Sequence, residues 1–162
     1  MKTMMLKGDL NVEIKQLLDQ PISIRNNMKW YYGDVEMFRR PILNILARNI
    51  QRSEDGRYCI QMQHDFCELT VEDVPFYAQW INEDTVPEKL IFHDMQELPL
   101  DHEMKLYFKG NVPYISFRWE ADTRLSLGNY VKLSDYFEFR GDDVYIVPPK
   151  YDKEETKPEE TE

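Results

Sequence analysis

Two adjacent carboxylates, Glu72 and Asp73, stand just ahead of the bend Val74-Pro75-Phe76. Proline forces its predecessor into extended backbone, so side chains entering the bend alternate in direction. One carboxylate can then face a ligand or an arginine. It can also act as a general base where burial beside Phe76 and Trp80 raises its pKa. The plainer reading is a structural turn, with Asp73 accepting from backbone N–H groups ahead of Pro75. Arg39 and Arg40 open a helical pattern, where a cation opposes the helix macrodipole. That placement calls for an anion nearby, either an internal carboxylate such as Glu72 or Asp73 or the anionic part of a ligand.

The aromatic residues Trp30, Tyr31, Tyr32, Phe76, Tyr77, Trp80, Tyr114, Phe117 and Trp119 are mostly core material. A subset beside a groove would give an apolar pocket with hydroxyl and indole handles. The series His64-Asp65-Phe66-Cys67, with Cys59 nearby, has the residue types of a metal site. Its spacing fits no zinc pattern, and a surface histidine with buried, inert cysteines explains it better. His93-Asp94 and Asp101-His102 are neighbours in sequence, which says nothing of a dyad in space. Neither a Gly-x-Ser-x-Gly elbow nor a glycine-rich phosphate loop is present. No metal, no cofactor and no assigned catalytic residue follow from these types. The six residues with the strongest claim to a binding site are Trp30, Arg39, Arg40, Glu72, Asp73 and Phe76.

The elements that would position them follow from periodicity. Asp9 caps a first helix with the apolar stripe Leu10, Ile14, Leu17 and Leu18, and Pro21 closes it. Trp30 to Tyr32 before Gly33-Asp34 reads as a strand and turn. Pro41 suits the first turn of a second helix, with Ile42, Leu43, Ile45, Leu46 and Ile50 as its apolar face and Ser53 to Gly56 as its end. The period then changes to two. Strands are expected at 58–62, 66–72, 76–81, 89–93, 103–109, 114–120, 136–139 and 144–147, and a long one at 124–133. The class is α+β: two small related subdomains of curved, mainly antiparallel sheet with two N-terminal helices. The expected divisions are an N-terminal helix and linker (1–27), a first subdomain (28–95), a second (96–149) and an acidic tail (150–162). An internal echo, Val74-Pro75-Phe76…Trp80 against Val112-Pro113-Tyr114…Trp119, is open to two readings, a structural repeat or coincidence.

Of the 162 residues, 42% are hydrophobic, enough for a core, and the net charge is −10. That charge argues against nucleic acid and anionic lipid as partners. The tail from Lys150 holds six acids and three bases and almost no apolar residues, so it cannot repay the entropy of ordering. No apolar run is long enough to cross a bilayer, and the start is too short in apolar residues for a secretory signal. A cytoplasmic protein with reduced thiols is expected.

Four segments in order, Trp30-Tyr31-Tyr32-Gly33-Asp34, Arg39 or Arg40 opening the Ile42–Ile50 helix, Asp55-Gly56-Arg57-Tyr58 and Leu69-Thr70-Val71-Glu72-Asp73-Val74-Pro75-Phe76, resemble the bacterial domain of unknown function family 1285. Val112-Pro113-Tyr114, Phe117-Arg118 and Arg124-Leu125 look like its second motif. The resemblance spans 28–140 and implies two related half-barrel subdomains. It implies ligand sensing or signal transduction and no established reaction. The expected activity is therefore that of a binding or regulatory module with a groove between the subdomains, holding a small, partly anionic or amphipathic molecule or a protein partner. An enzyme using Glu72 or Asp73, and an interaction scaffold or homodimer pairing through a strand edge, are the alternatives.

Overall fold

The computed structural model describes residues 14, 18–83 and 86–149, in two compact units that divide between Pro75 and Phe76. The first helix and the acidic tail lie outside the described residues, apart from buried Ile14 and Leu18, joined by a Leu18 N–H to Ile14 carbonyl bond of 3.0 Å.

The first unit is a six-stranded sheet in the order β3-β2-β1-β6-β5-β4. Its strands are β1 (Ile22–Ile24), β2 (Trp30–Tyr32), β3 (Val35–Met37), β4 (Ile50–Arg52), β5 (Tyr58–Met62) and β6 (Asp65–Val71). Between β3 and β4 lies helix α1 (Arg40–Arg48), with Pro41 in its first turn and Ile42, Leu43, Leu46 and Ala47 buried. Ile50, expected on the helix, instead starts β4 and pairs with Ile60. Asn49 ends the helix, its side-chain amide donating to the Ile45 carbonyl at 2.7 Å. The core face of the sheet carries Ile22, Ile24, Trp30, Ile50, Ile60, Cys67 and Leu69, all buried.

The second unit is an eight-stranded sheet in the order β13-β14-β10-β11-β12-β7-β8-β9. It contains β7 (Phe76–Glu83), β8 (Pro87–Phe92), β9 (Glu97–Pro99), β10 (Met104–Lys109), β11 (Val112–Ile115), β12 (Thr123–Leu125), β13 (Phe137–Arg140) and β14 (Asp143–Ile146). The stretch 76–92, expected in the first subdomain, thus hydrogen-bonds into the second sheet through β7 and β12. The class is α+β and mostly β. Each sheet is open, and each mixes antiparallel pairs with one parallel pair, β1 with β6 and β7 with β12.

Of the two helices expected near the N-terminus, α1 is among the described residues and the first lies outside them apart from Ile14 and Leu18; a further α-helix lies late, at α2 (Leu127–Leu133). One expectation needs correction. The stretch 124–133, expected as one long strand, is the short β12 followed by α2. Ser126 makes the break: its hydroxyl accepts from Asn129 N–H at 3.1 Å as an N-cap and donates to the Gln79 carbonyl. Asn129 then ties α2 to β7, its amide donating to the carbonyls of Ala78 and Trp80.

The two units repeat one topology. In each, two three-stranded meanders are joined so that the first strand of one pairs in parallel with the last strand of the other, giving 3-2-1-6-5-4 and 9-8-7-12-11-10. The closing bond also repeats: Glu72 N–H to Ile24 carbonyl at 2.9 Å in one, Ser126 N–H to Ala78 carbonyl at 3.0 Å in the other. The second unit then adds α2 and the β13–β14 hairpin. The Val-Pro-aromatic echo is not the trace of this repeat. Pro75 precedes β7, whereas Pro113 lies inside β11, where β12 begins to pair only at Tyr114. The counterpart of Pro75 by topology is Pro21, ahead of β1.

Candidate binding cleft

The hairpin β4–β5 turns through Ser53-Glu54-Asp55-Gly56-Arg57. Gly56, at φ 89°, supplies the left-handed residue this loop requires. Ser53 closes the loop on itself: its N–H donates to the Arg57 carbonyl at 2.8 Å, and its hydroxyl accepts from Arg57 N–H at 3.1 Å. Ser53 Oγ also donates to Asp55, whose other oxygen accepts from Arg57 Nε at 3.1 Å. These donors, Ser53 first, pull the Asp55 carboxyl down to about 2.

Beyond the loop, β5 and β6 pair antiparallel, with Cys59 opposite Glu68 and Gln61 opposite Phe66. Alternation sends Cys67 and Leu69 into the core and leaves Phe66, Glu68 and Thr70 on the opposite face, beside Cys59. Loop and strands together bound a cleft of about 860 Å³, lined among others by Asp55, Arg57, Cys59, Phe66, Glu68 and Thr70. Phe66 is 59% exposed, a large apolar surface left in water. The acids Glu54, Asp55 and Glu68 outnumber the one lining base, Arg57, which already holds Asp55. This wall favours a cation or hydrogen-bond donor over an anion.

The six residues singled out in the sequence are distributed differently. Trp30 is 2% exposed and pairs with Ile24 in the first core. Glu72 is exposed, beside the same Ile24, with Oε1 accepting from Asn26 N–H at 2.9 Å. Asp73 is half-buried between Glu72 and buried Val74-Pro75. Arg39 is the exposed N-cap residue of α1, and Arg40 is its half-buried first residue. Phe76 is 1% exposed in the second unit, with the rings of Phe117, Phe92 and Trp119 at 5.2, 6.1 and 6.2 Å. Trp30 and Glu72 therefore come together around Ile24, while Phe76 serves another core. None of the six lines the cleft.

The alternation of the seven-residue β6 points by its apolar positions to the buried side, while the cleft residues lie on the other. Phe66 among the outward polar positions Glu68 and Thr70 was the available signal. Cys59, expected as a buried thiol, is half-buried, whereas Cys67 is buried and donates to the Glu68 carbonyl at 3.3 Å, its thiol pKa pushed up by burial. Among the described residues, no helix is long and apolar enough to cross a membrane.

Neither a scan of protein-family models nor a search of curated proteins finds a match. Two solved structures match in three dimensions. A DUF1285 family protein from Silicibacter pomeroyi DSS-3 aligns with a TM-score of 0.59 at 15% identity, over 75% of this chain and 72% of that one. The chain has the DUF1285 fold. A second DUF1285 family protein, from Shewanella baltica OS155, aligns with a TM-score of 0.58 at 12% identity, over 74% of this chain and 94% of the other. The fold that the motif order implied is thus present, and at these identities the likeness concerns fold alone.

Proposed function

We propose that this chain is a cytoplasmic binding module of a ligand-sensing kind, taking a small amphipathic molecule in the cleft between the Ser53–Arg57 loop and the outward face of β5 and β6. The observation that carries the proposal is the cleft itself. At about 860 Å³ it has the size of a small-molecule site, and it leaves Phe66 exposed beside polar side chains. Phe66 offers a ring on which a flat apolar body can lie. Glu68 and Thr70 can accept from a cationic or hydrogen-bond-donating head. The acid surplus thus replaces the partly anionic ligand expected from the sequence with an aromatic amine or a similar donor.

An enzyme is the less supported reading. Glu72, the carboxylate offered as a base, is exposed and engaged with Asn26 N–H, outside the cleft. The test is a thermal-shift screen over aromatic amines, nucleosides and other metabolites, repeated on Thr70→Trp, whose bulky indole replaces a small residue of the cleft lining. A compound that binds only the folded state raises the melting temperature by mass action. The expected result is a hit whose shift is lost in Thr70→Trp. A hit that acts equally on both proteins places binding elsewhere, and a screen without hits removes the support for this reading.

A further inference from the structure

The outer strand of the second sheet has two unlike faces. Row by row, Leu106 pairs with Val144, and Val144 with Phe139, so the core face of the sheet continues outward onto β13. The burial does not continue. Leu106 is 3% exposed, whereas Phe139, at the end of the same row, is 72% exposed. The same unit leaves other apolar groups uncovered: Leu127 and Val131, one turn apart on α2, at 75% and 58%, and Phe108 at 45%. Tyr130, on that helix, sets its ring 6.2 Å from Phe108 and 5.3 Å from Phe137 of β13. The opposite face of β13 is charged. Arg140 binds Glu138 at 3.0 Å and grips Glu103 through two bonds of 2.6 and 3.0 Å. One edge of β13 pairs with β14; among the described residues the other is an end of the sheet.

We propose that this edge is the homodimer interface of the protein, formed by antiparallel pairing of β13 with β13 of a second copy about a twofold axis at Phe139. The choice of partner comes from charge and register. Cross-strand partners must share a face, so apolar Phe137 and Phe139 must meet apolar positions, and only shifts of two residues are allowed. Centred on Glu138, the pairing sets Glu138 against Glu138. Centred on Arg140, it sets Arg140 against Arg140. Centred on Phe139, it sets each Glu138 against the other copy's Arg140 on one face and the two Phe139 rings together on the other. Parallel pairing in register meets like charge twice. Of the registers centred on Glu138, Phe139 and Arg140, this one alone sets opposite charges together, as a self-complementary twofold interface requires. An exposed apolar edge of this kind is otherwise a liability that sheets blunt or cover.

The test uses the full chain. Sedimentation of the wild type at up to about 100 μM should show twice the chain mass, and Glu138→Arg, which sets arginine against arginine, should weaken association at least about tenfold. Register is read by cross-linking. Directly opposed strand residues have Cα atoms within disulfide range. Phe139→Cys should therefore form a disulfide dimer with itself. Glu138→Cys mixed with Arg140→Cys should cross-link, whereas neither should do so alone. Phe66→Cys, a comparably exposed position in the other unit, sets the background rate. A wild type that sediments as a monomer throughout, or Phe139→Cys cross-linking no faster than Phe66→Cys, overturns the proposal. All these positions are exposed, Arg140 alone among them holding Glu103, and a melting curve for each variant separates loss of pairing from loss of folding.

Discussion

Asp122 is 2% exposed, and its carboxylate closes the loop between β11 and β12. Oδ1 accepts from Phe117 N–H at 2.7 Å and Thr123 Oγ1 at 2.9 Å, and Oδ2 from Arg118 N–H at 2.9 Å and Trp119 N–H at 2.7 Å. Replacing Asp122 with alanine strips three consecutive amides of their acceptor and loosens a loop whose Phe117 and Trp119 pack on Phe76. A hydrogen bond to a charged group contributes about 1.5–3 kcal/mol, and an orphaned buried donor costs about 1–3 kcal/mol. Arg118 is exposed, so water recovers part of the loss, and a net cost of roughly 3–5 kcal/mol is expected. For a unit of this size each kcal/mol moves the melting temperature by about 4–8 °C, so a fall of roughly 12–40 °C should appear in circular-dichroism melts. Asparagine keeps one acceptor oxygen but turns an amine toward the other pair of donors, so Asp122→Asn should fall about midway. A loss below about 1 kcal/mol for Asp122→Ala, or equal losses for both variants, would refute this account of the loop.

Two further expectations follow from single groups. Burial pushes the Asp94 carboxyl up to about 6, against hydrogen bonds from Gln96 that act the other way. The folded state therefore holds this proton more tightly than the unfolded chain. The stability it contributes is complete below the unfolded value of 3.8 and is lost as pH rises through about 6, a change of a few kcal/mol. Urea midpoints between pH 4 and pH 7 should show this fall in the wild type and a flatter profile in Asp94→Asn; equal slopes would contradict it. Cys59 should react with a thiol reagent in the folded protein while Cys67 waits for unfolding, read by mass spectrometry of labelled peptides; equal rates would put both thiols in water.

The fold was legible where the signal was local. Alternation at Tyr58–Met62, the Gly33-Asp34 and Gly141-Asp142 turns, and Pro41 at the start of a helix mark elements that the structure contains. Three-residue strands such as β1 and β4 carry one alternation at most, too little to stand out, and both parallel pairings join segments distant in sequence. Helix α2 was hidden because Leu125 and Leu127 alternate like a strand; Ser126 as a cap, with Leu127 and Val131 one turn apart, was the competing signal. The candidate residues went astray for a related reason. Trp30 and Phe76 stand out by type and motif, and large aromatic side chains in strands are most often core. What the motif carries in them is packing, while the cleft sits on the unremarked outward positions of β5 and β6.

Cys59 lies on the cleft wall, which makes it a reporter of occupancy. The most direct test of the binding reading is the rate at which Cys59 is alkylated with and without each compound that raises the melting temperature. An occupant lying on Phe66 and Glu68 should slow Cys59 labelling at least about tenfold at saturation and lose that effect in Thr70→Trp. Compounds that stabilise the protein yet leave Cys59 as reactive as before would show that this cleft is not where they bind.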